Sequence, residues 1–280
     1  MSSRRNFIRT TAVGMAGTLS FPAISKASAF YAGDSSKATT FSIGMAGYTF
    51  LNFDVAASIE MMKKLDVHNI SVKDFHLPLN SSDEKIKQVL QQFKDGGINV
   101  YTVGVIYMKS KEAVDQAFDY AKRVGVNMIV GVPNYDLLDY TEEKVKQTNI
   151  KIAIHNHGPE DKLYPGPKQV WDQIKDRDAR MGLCLDVGHA LRAGTEPDEA
   201  VKLYSKRLFD MHIKDVVARE KNASVTEIGR GVINYPALIK ALEKVKYNGM
   251  ISVEYEKNMK DPLVGIAESV GYVRGVMKTV

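Results

Sequence analysis

Short apolar runs rich in β-branched residues alternate with helical hydrophobic patterns from Thr40 to the end of the chain. The helical segments carry an apolar residue every three or four positions, as at Val55, Ile59 and Met62, and this period is typical of an amphipathic helix. The strand-like runs lie near Phe41 to Gly44, Asn69 to Lys73, Asn99 to Val105, Met128 to Val132, Lys151 to Ile154, Gly182 to Leu185, Leu208 to Ile213 and Met250 to Val253. Their number is the one that a closed parallel barrel requires.

The alternation predicts an α/β fold with one domain, a single (β/α)8 TIM barrel over residues 40–280. The competing prediction is an open, doubly wound parallel sheet, which is built from the same alternating elements. A doubly wound nucleotide-binding fold has a Gly-rich phosphate loop after its first strand. No such loop follows the run from Phe41 to Gly44, so the barrel is favoured.

The first 29 residues have the pattern of an export signal. Arg4 and Arg5 precede Phe7, an apolar run extends from Thr10 to Ile24, and small residues follow at 27–29, which is the order of a signal peptide and its cleavage site. The arginine pair indicates a twin-arginine signal. The apolar run is shorter than the roughly 20 residues that a membrane span needs, so stable membrane insertion is not expected.

These features predict export through the twin-arginine machinery to the periplasm, or otherwise out of the cytoplasm, with cleavage near Ala29. Residues 30–39 are mostly small and polar and show no period, so we interpret them as a short tether. The predicted organisation is therefore a signal peptide at 1–29, a tether at 30–39 and a catalytic TIM barrel at 40–280.

Removal of the predicted signal changes the charge of the protein. The chain has a formal net charge of +5, and residues 1–29 carry four basic and no acidic side chains, so the remainder has +1. A nearly neutral protein lacks the basic surface that nucleic acid or anionic lipid requires. Cys184 is the only cysteine, so no intramolecular disulfide can form, and stability must come from a hydrophobic core.

Four consecutive strands end in polar residues that have the parity to face the barrel interior. Side chains alternate between the two faces of a strand, and the catalytic groups of such barrels lie at the carboxyl ends of the strands. The four residues are His155, Asp186, His212 and Glu254. A single buried residue of this kind is usually part of the hydrogen-bonded core, but two imidazoles and two carboxylates together favour a divalent-metal site. Mixed ligation disfavours calcium; we expect one manganese or zinc ion, with magnesium, cobalt or iron as alternatives.

Further polar residues have positions suited to the same pocket. His157, Lys214 and Glu256 have the inward parity of their strand ends, and Lys73 has it at the end of the second strand. His76 lies in the loop that follows Lys73, and its place stays open between the pocket and the surface. Two tyrosines, Tyr48 and Tyr107, come just after the first and third strands and are placed to contact a sugar ring.

Four motifs in the second half of the chain resemble the xylose-isomerase-like family of sugar isomerases and epimerases. They are Gly182-Leu-Cys-Leu-Asp-Val-Gly-His-Ala190, Asp210-Met-His-Ile-Lys-Asp-Val216, Gly229-Arg-Gly-Val-Ile-Asn-Tyr235 and Ile251-Ser-Val-Glu254. The resemblance implies one divalent metal that is held by the four strand-end residues and chelated by a sugar or keto-sugar. It also implies that His157, His189 and Lys214 hold substrate hydroxyls.

The chain departs from the pattern of that family at two positions. Where the family commonly has Gly-Glu-Gly, this chain has Gly229-Arg230-Gly231, and we include Arg230 among the expected substrate contacts. The ligand on the fifth strand is commonly Glu but is His155 here. A metal-bound imidazole is a poor base, so a relay between two carboxylates is disfavoured, and Glu254, His157 and His189 are left as candidate bases.

The resulting hypothesis is a metal-dependent isomerase or epimerase that removes a proton next to the carbonyl of a sugar or keto-sugar and forms an enediolate. In a second hypothesis the same intermediate expels a β-leaving group, which gives a lyase or dehydratase for a keto-sugar or keto-glycoside. A third is a non-catalytic periplasmic sugar-binding barrel, which the retained ligands disfavour. Abasic-site endonucleases share the barrel, but they need three zinc ions and a basic track that this chain lacks. The sequence leaves the sugar and the oligomeric state open.

Overall fold

Eight parallel strands form a closed barrel in the computed structural model, which describes residues 40–280. This confirms the predicted fold class; the predicted signal and tether lie outside the described residues. The barrel strands are β1 (Ser42–Ala46), β2 (Asn69–Val72), β3 (Asn99–Met108), β4 (Met128–Pro133), β5 (Lys151–His155), β6 (Met181–Asp186), β7 (Leu208–Ile213) and β10 (Met250–Val253). Each pairs with its neighbours along the chain, and β10 closes the barrel against β1. All eight coincide with the predicted runs, with end shifts of a few residues.

Helices cover the outside of the barrel, and their apolar faces pack on it. They are α1 (Val55–Lys64), α2 (Asp83–Asp95), α3 (Lys111–Val124), α4 (Leu138–Thr148), α5 (Pro167–Ile174), α6 (Val187–Arg192), α7 (Pro197–Tyr204), α8 (Tyr235–Lys244) and α9 (Leu263–Thr279). The periodic residues Ile59 and Met62 of α1 are buried as their spacing predicts. None of the helices in residues 40–280 is both long and apolar enough to cross a membrane.

A layer of buried polar side chains crosses the barrel interior beneath its carboxyl-end mouth. The hydroxyl of Tyr101 lies 3.0 Å from Asp210 Oδ2 and 2.7 Å from Ser252 Oγ. Burial raises the pKa of Asp210 to about 7. Asp210 precedes His212 by two residues on β7, so both side chains point into the barrel. The layer therefore lies directly below His212.

A small antiparallel hairpin follows β7 and was not predicted from the sequence. Its strands are β8 (Asp215–Val216) and β9 (Val225–Thr226). The buried carboxylate of Asp215 accepts hydrogen bonds from four backbone N–H groups. They belong to Val216 at 2.9 Å, Gly229 at 3.0 Å, Gly231 at 3.1 Å and Ile233 at 3.2 Å. A Cβ on Gly231 would lie 2.2 Å from Asp215 Oδ1, so this glycine permits the close approach of the loop.

We predict that Asp215→Ala lowers the free energy of unfolding by about 3 kcal/mol, because four backbone N–H groups lose this acceptor, two of them in the buried residues Val216 and Ile233. Glu220→Ala is the control, since Glu220 is exposed in the same loop and its loss should change stability by less than about 0.5 kcal/mol. Urea unfolding followed by circular dichroism measures both values. Equal stability of the two variants would contradict the role given to Asp215.

Candidate active site

The four predicted ligand residues converge at the carboxyl-end mouth of the barrel. His155 ends β5, Asp186 ends β6, His212 lies on β7, and Glu254 directly follows β10. All four are buried, and their ligand atoms lie within 4.8 Å of one another. His155 Nε2 is 3.1 Å from His212 Nδ1 and 3.6 Å from Asp186 Oδ2. His212 Nδ1 is 3.3 Å from Glu254 Oε1.

The chemistry of this cluster fits a divalent cation. Asp186 Oδ2 is buried and makes no hydrogen bond, although Lys214 Nζ lies 3.0 Å away; a buried carboxylate oxygen in this state is suited to metal ligation. Burial lowers the pKa of His155, so its imidazole is neutral and offers a lone pair. Two imidazole nitrogens and two carboxylate oxygens can hold one zinc or manganese ion.

The orientation of Asp186 is fixed by partners outside the ligand set. Its Oδ1 accepts from the backbone N–H of His189 at 2.8 Å, which caps the first turn of α6. Asn156 Nδ2 donates a hydrogen bond to the carbonyl oxygen of Asp186, and Asn156 Oδ1 accepts one from the N–H of Asp186, each at 3.0 Å. Sequence reasoning missed Asn156, whose only signal is its position between two pocket histidines. Such supporting hydrogen bonds hold a ligand in its binding geometry.

Lys214 joins three carboxylates at the base of the pocket. Its Nζ is 2.7 Å from Glu254 Oε2 and 3.0 Å from Asp186 Oδ2, and it also pairs with Glu256. Burial opposes its charge, but the three carboxylates outweigh burial and raise the pKa of Lys214 well above its usual value. Burial likewise opposes ionisation of Glu254, but the charges of Lys214 and His212 hold its pKa well below the usual range. Lys214 is therefore an ammonium and Glu254 a carboxylate.

His157 and Tyr107 form one wall of the pocket. His157 Nε2 lies 2.9 Å from the hydroxyl of Tyr107, and its Nδ1 lies 3.4 Å from His155 Nδ1. Burial and the neighbouring His155 lower the pKa of His157 to about 3. The imidazole is thus neutral, and both of its nitrogens have a neighbour within hydrogen-bond range.

The cavity above the ligands has a volume of about 270 Å³, which is enough for one small molecule. Its lining comprises Tyr48, Lys73, Val105, Tyr107, His155, His157, His189, Lys214, Glu254 and Glu256. The structure therefore brings together most of the residues that were predicted for substrate contact or catalysis. Their functional roles stay predictions.

Two predicted pocket residues lie elsewhere. The chain turns back after β2, where the N–H groups of His76 and Leu77 bond to Lys73 O, and this turn directs His76 under α1. There His76 Nε2 lies 3.1 Å from Phe53 O, and the ring lines an outer groove instead of the pocket. Arg230 is exposed and pairs with Glu268 of α9, because the flanking glycines of its loop bind inward to Asp215. Neither residue lines the cavity above the ligands, and substrate contact by either stays a prediction.

The fold and site place the protein in a known class. The family described as Xylose isomerase-like TIM barrel matches residues 56–275, so the chain belongs to this family. The resemblance seen in the sequence motifs is thereby confirmed at the level of the family.

Individual relatives are more distant. An inosose dehydratase of Lacticaseibacillus casei is 24% identical over 136 residues, which are 43% of this chain and 45% of that protein. The chain spans less than half the length of the first curated relatives it matches. A crystal structure of the 3-keto-D-glucoside 4-epimerase YcjR from E. coli shares the fold, with a TM-score of 0.68, 16% identity and coverage of 84% of this chain and 99% of that one. The IolI protein with a bound zinc atom has a TM-score of 0.67, 18% identity and coverage of 84% and 96%.

We predict that the purified protein holds about one divalent metal ion per chain and that Asp186→Ala and His212→Ala each abolish binding. Each variant removes one of only four ligands, which weakens affinity strongly. Asp198→Ala is the control, since this carboxylate pairs with Lys202 on α7 and its variant should keep the metal. Elemental analysis by mass spectrometry measures the content. A ratio near three, or full retention in both ligand variants, would rule out the single-site model.

Proposed function

We propose that this protein is a divalent-metal-dependent isomerase or epimerase that removes a proton next to the carbonyl of an uncharged sugar or keto-sugar. The observation that best supports this proposal is the cluster of four ligand residues beside the cavity. One of the four, Glu254, is an ionised carboxylate that lines the cavity. A divalent cation bound there would supply Lewis-acid polarisation of the substrate carbonyl. The names of an inosose dehydratase and a keto-glucoside epimerase among the relatives support chemistry of this kind.

Glu254 is the best supported of the three candidate bases. It is ionised and lines the cavity, so it has the charge state that proton removal requires. His157 already has a neighbour within hydrogen-bond range at both ring nitrogens. We therefore assign proton abstraction to Glu254 and substrate contact to Lys73, Lys214 and Glu256.

The charges of the cavity favour a substrate without a phosphate group. Two lysines line it, and both already have carboxylate partners. Lys214 contacts three carboxylates, and Lys73 Nζ lies 2.9 Å from Asp74 Oδ1 and 2.8 Å from Val105 O. A phosphate would therefore meet no uncompensated lysine among the residues that line this cavity.

A second candidate outcome is elimination, which would make the protein a lyase or dehydratase. The observation that favours it is His155, which replaces the first of the two metal-bound carboxylates of the family relay. With Glu254 as the single base, the intermediate can regain its proton from the same face or lose a β-leaving group. Several relatives are named inosose dehydratase, which supports this alternative.

We predict that the metal-loaded protein exchanges substrate hydrogen for deuterium in deuterated water at the carbon next to the carbonyl. Ketoses, aldoses and keto-glycosides are screened by NMR. Deuterium incorporation without fragmentation identifies an isomerase or epimerase, and an unsaturated keto-sugar identifies a lyase. Glu254→Gln should lower the rate at least about 100-fold, with metal content measured in parallel because Glu254 is also a ligand. Asp198→Ala should match the wild type.

The proposal of an enzyme fails if sugars bind tightly but no metal supports either reaction. A sugar-binding barrel would then be the better account. A phosphorylated sugar that reacts faster than its uncharged counterpart would contradict the substrate class alone.

We also propose that the protein is exported through the twin-arginine machinery. The support is the pair Arg4 and Arg5 ahead of the apolar run. We predict that changing both to Lys abolishes periplasmic delivery of the full chain, because the receptor reads the guanidinium pair. Arg9→Lys, outside the pair, is the control and should export normally. Cell fractionation with immunoblotting measures delivery, and unchanged export of the double variant through this pathway would refute the proposal.

A further inference from the structure

We propose that Arg192 is a positioning residue that fixes His189 as the neutral tautomer with its proton on Nε2. His189 then donates a hydrogen bond to substrate instead of acting as a base. The part of this inference that concerns substrate rests on the proposed function. The tautomer itself does not.

The contact between the two side chains determines where the proton lies. Arg192 Nη2 is 2.6 Å from His189 Nδ1, and the residues are three positions apart on α6, so they face each other on one turn. A guanidinium is always protonated and has donors but no acceptor. Nδ1 must therefore accept with its lone pair, which leaves the single proton of the neutral ring on Nε2.

Arg192 is available for this task because it is not held by a carboxylate. Within residues 40–280 its guanidinium makes no ion pair, and its Nε is buried without a hydrogen-bond partner. The contact with His189 is its one side-chain hydrogen bond in that part of the chain. An arginine in such a setting loses hydration without a counter-charge, so the bond to His189 is the interaction that places its head group.

The other ring nitrogen of His189, Nε2, is available to a ligand in the cavity. His189 lines the cavity, and its Nε2 has no hydrogen-bond partner within the described residues. Its backbone N–H is bound to Asp186 Oδ1, so the ring is anchored beside the candidate metal centre. A substrate oxygen near the ligands would therefore meet an N–H donor, which suits a hydroxyl or carbonyl oxygen.

The loop after β5 closes over the contact between Arg192 and His189. Gly158 has φ +91°, and a Cβ at this position would lie 2.8 Å from His189 Nδ1 and 3.1 Å from Arg192 Nη2. A side chain here would push the two groups apart as well as strain the backbone. The backbone of Gly158 therefore packs closely against the contact between Arg192 and His189.

The test reads the tautomer directly. Long-range ¹H–¹⁵N NMR spectra of the ¹⁵N-histidine-labelled, metal-loaded protein separate protonated from unprotonated ring nitrogens, and His189→Gln assigns the signals of His189. We expect an unprotonated Nδ1 and a protonated Nε2 in the wild type. Arg192→Met should give a mixture of both tautomers, whereas Arg192→Lys keeps a charged donor and should retain the wild-type pattern. Arg219→Met is the control, because Arg219 is exposed and pairs with Glu196.

A protonated Nδ1 in the wild type, or a spectrum of Arg192→Met identical to wild type, would overturn the proposal. The wild-type spectrum decides the question even if Arg192→Met does not fold. Where deuterium exchange is active, Arg192→Met should lower kcat/KM about tenfold, mainly through KM, as expected when one substrate hydrogen bond is lost. If no sugar reacts but the tautomer is as proposed, the proposed function fails while the assignment of Arg192 stands.

Discussion

The ion pairs of the buried Lys214 ammonium are the interactions on which the pocket depends. Its ammonium lies among the carboxylates of Asp186, Glu254 and Glu256, and an unpartnered charge in such a place would cost several kcal/mol. The ammonium offsets the cost of burying the carboxylates, and the carboxylates offset the cost of burying the ammonium. These ion pairs account for the three acids clustered around Lys214.

The residues that could be predicted from sequence are those whose direction follows from strand parity. His155, Asp186 and His212 lie on paired parallel strands, where Asp186 stands opposite His212, so alternation alone sends their side chains inward. The number of strands could be predicted because each strand is a separate apolar run in the sequence. His76 and Arg230, which lie outside the cavity, are both in loops, where no strand alternation sets the direction of a side chain. A turn that bonds to Lys73 O places His76, and the N–H bonds of Gly229 and Gly231 to Asp215 place Arg230. Neither contact has a hydrophobic period that the sequence could reveal.

The end of β7 shows how one dipeptide serves two parts of the structure. Lys214 continues the inward parity of the strand and holds the carboxylates of the pocket, while its neighbour Asp215 faces the other way and binds the loop of residues 229–233. The Gly229-Arg-Gly231 motif is therefore explained by close packing on Asp215, since each glycine donates its N–H to that carboxylate. The fold thus gives the two glycines of this motif a structural role that the sequence alone did not reveal.

Hydrogen bonds around the cavity involve ring nitrogens of His157 and His189, two of the three candidate bases. At His155 the nitrogen that faces the ligand cluster is the one that would bind the ion, so this residue cannot exchange protons from the second face of a substrate. Both nitrogens of His157 have neighbours, and His189 Nδ1 accepts from Arg192. Glu254 borders the cavity as an ionised carboxylate and is the base that the proposed function assigns. If Glu254 is the single base, as proposed, the proton returns to the face from which it came or a leaving group departs, whereas inversion would need a second group on the opposite face.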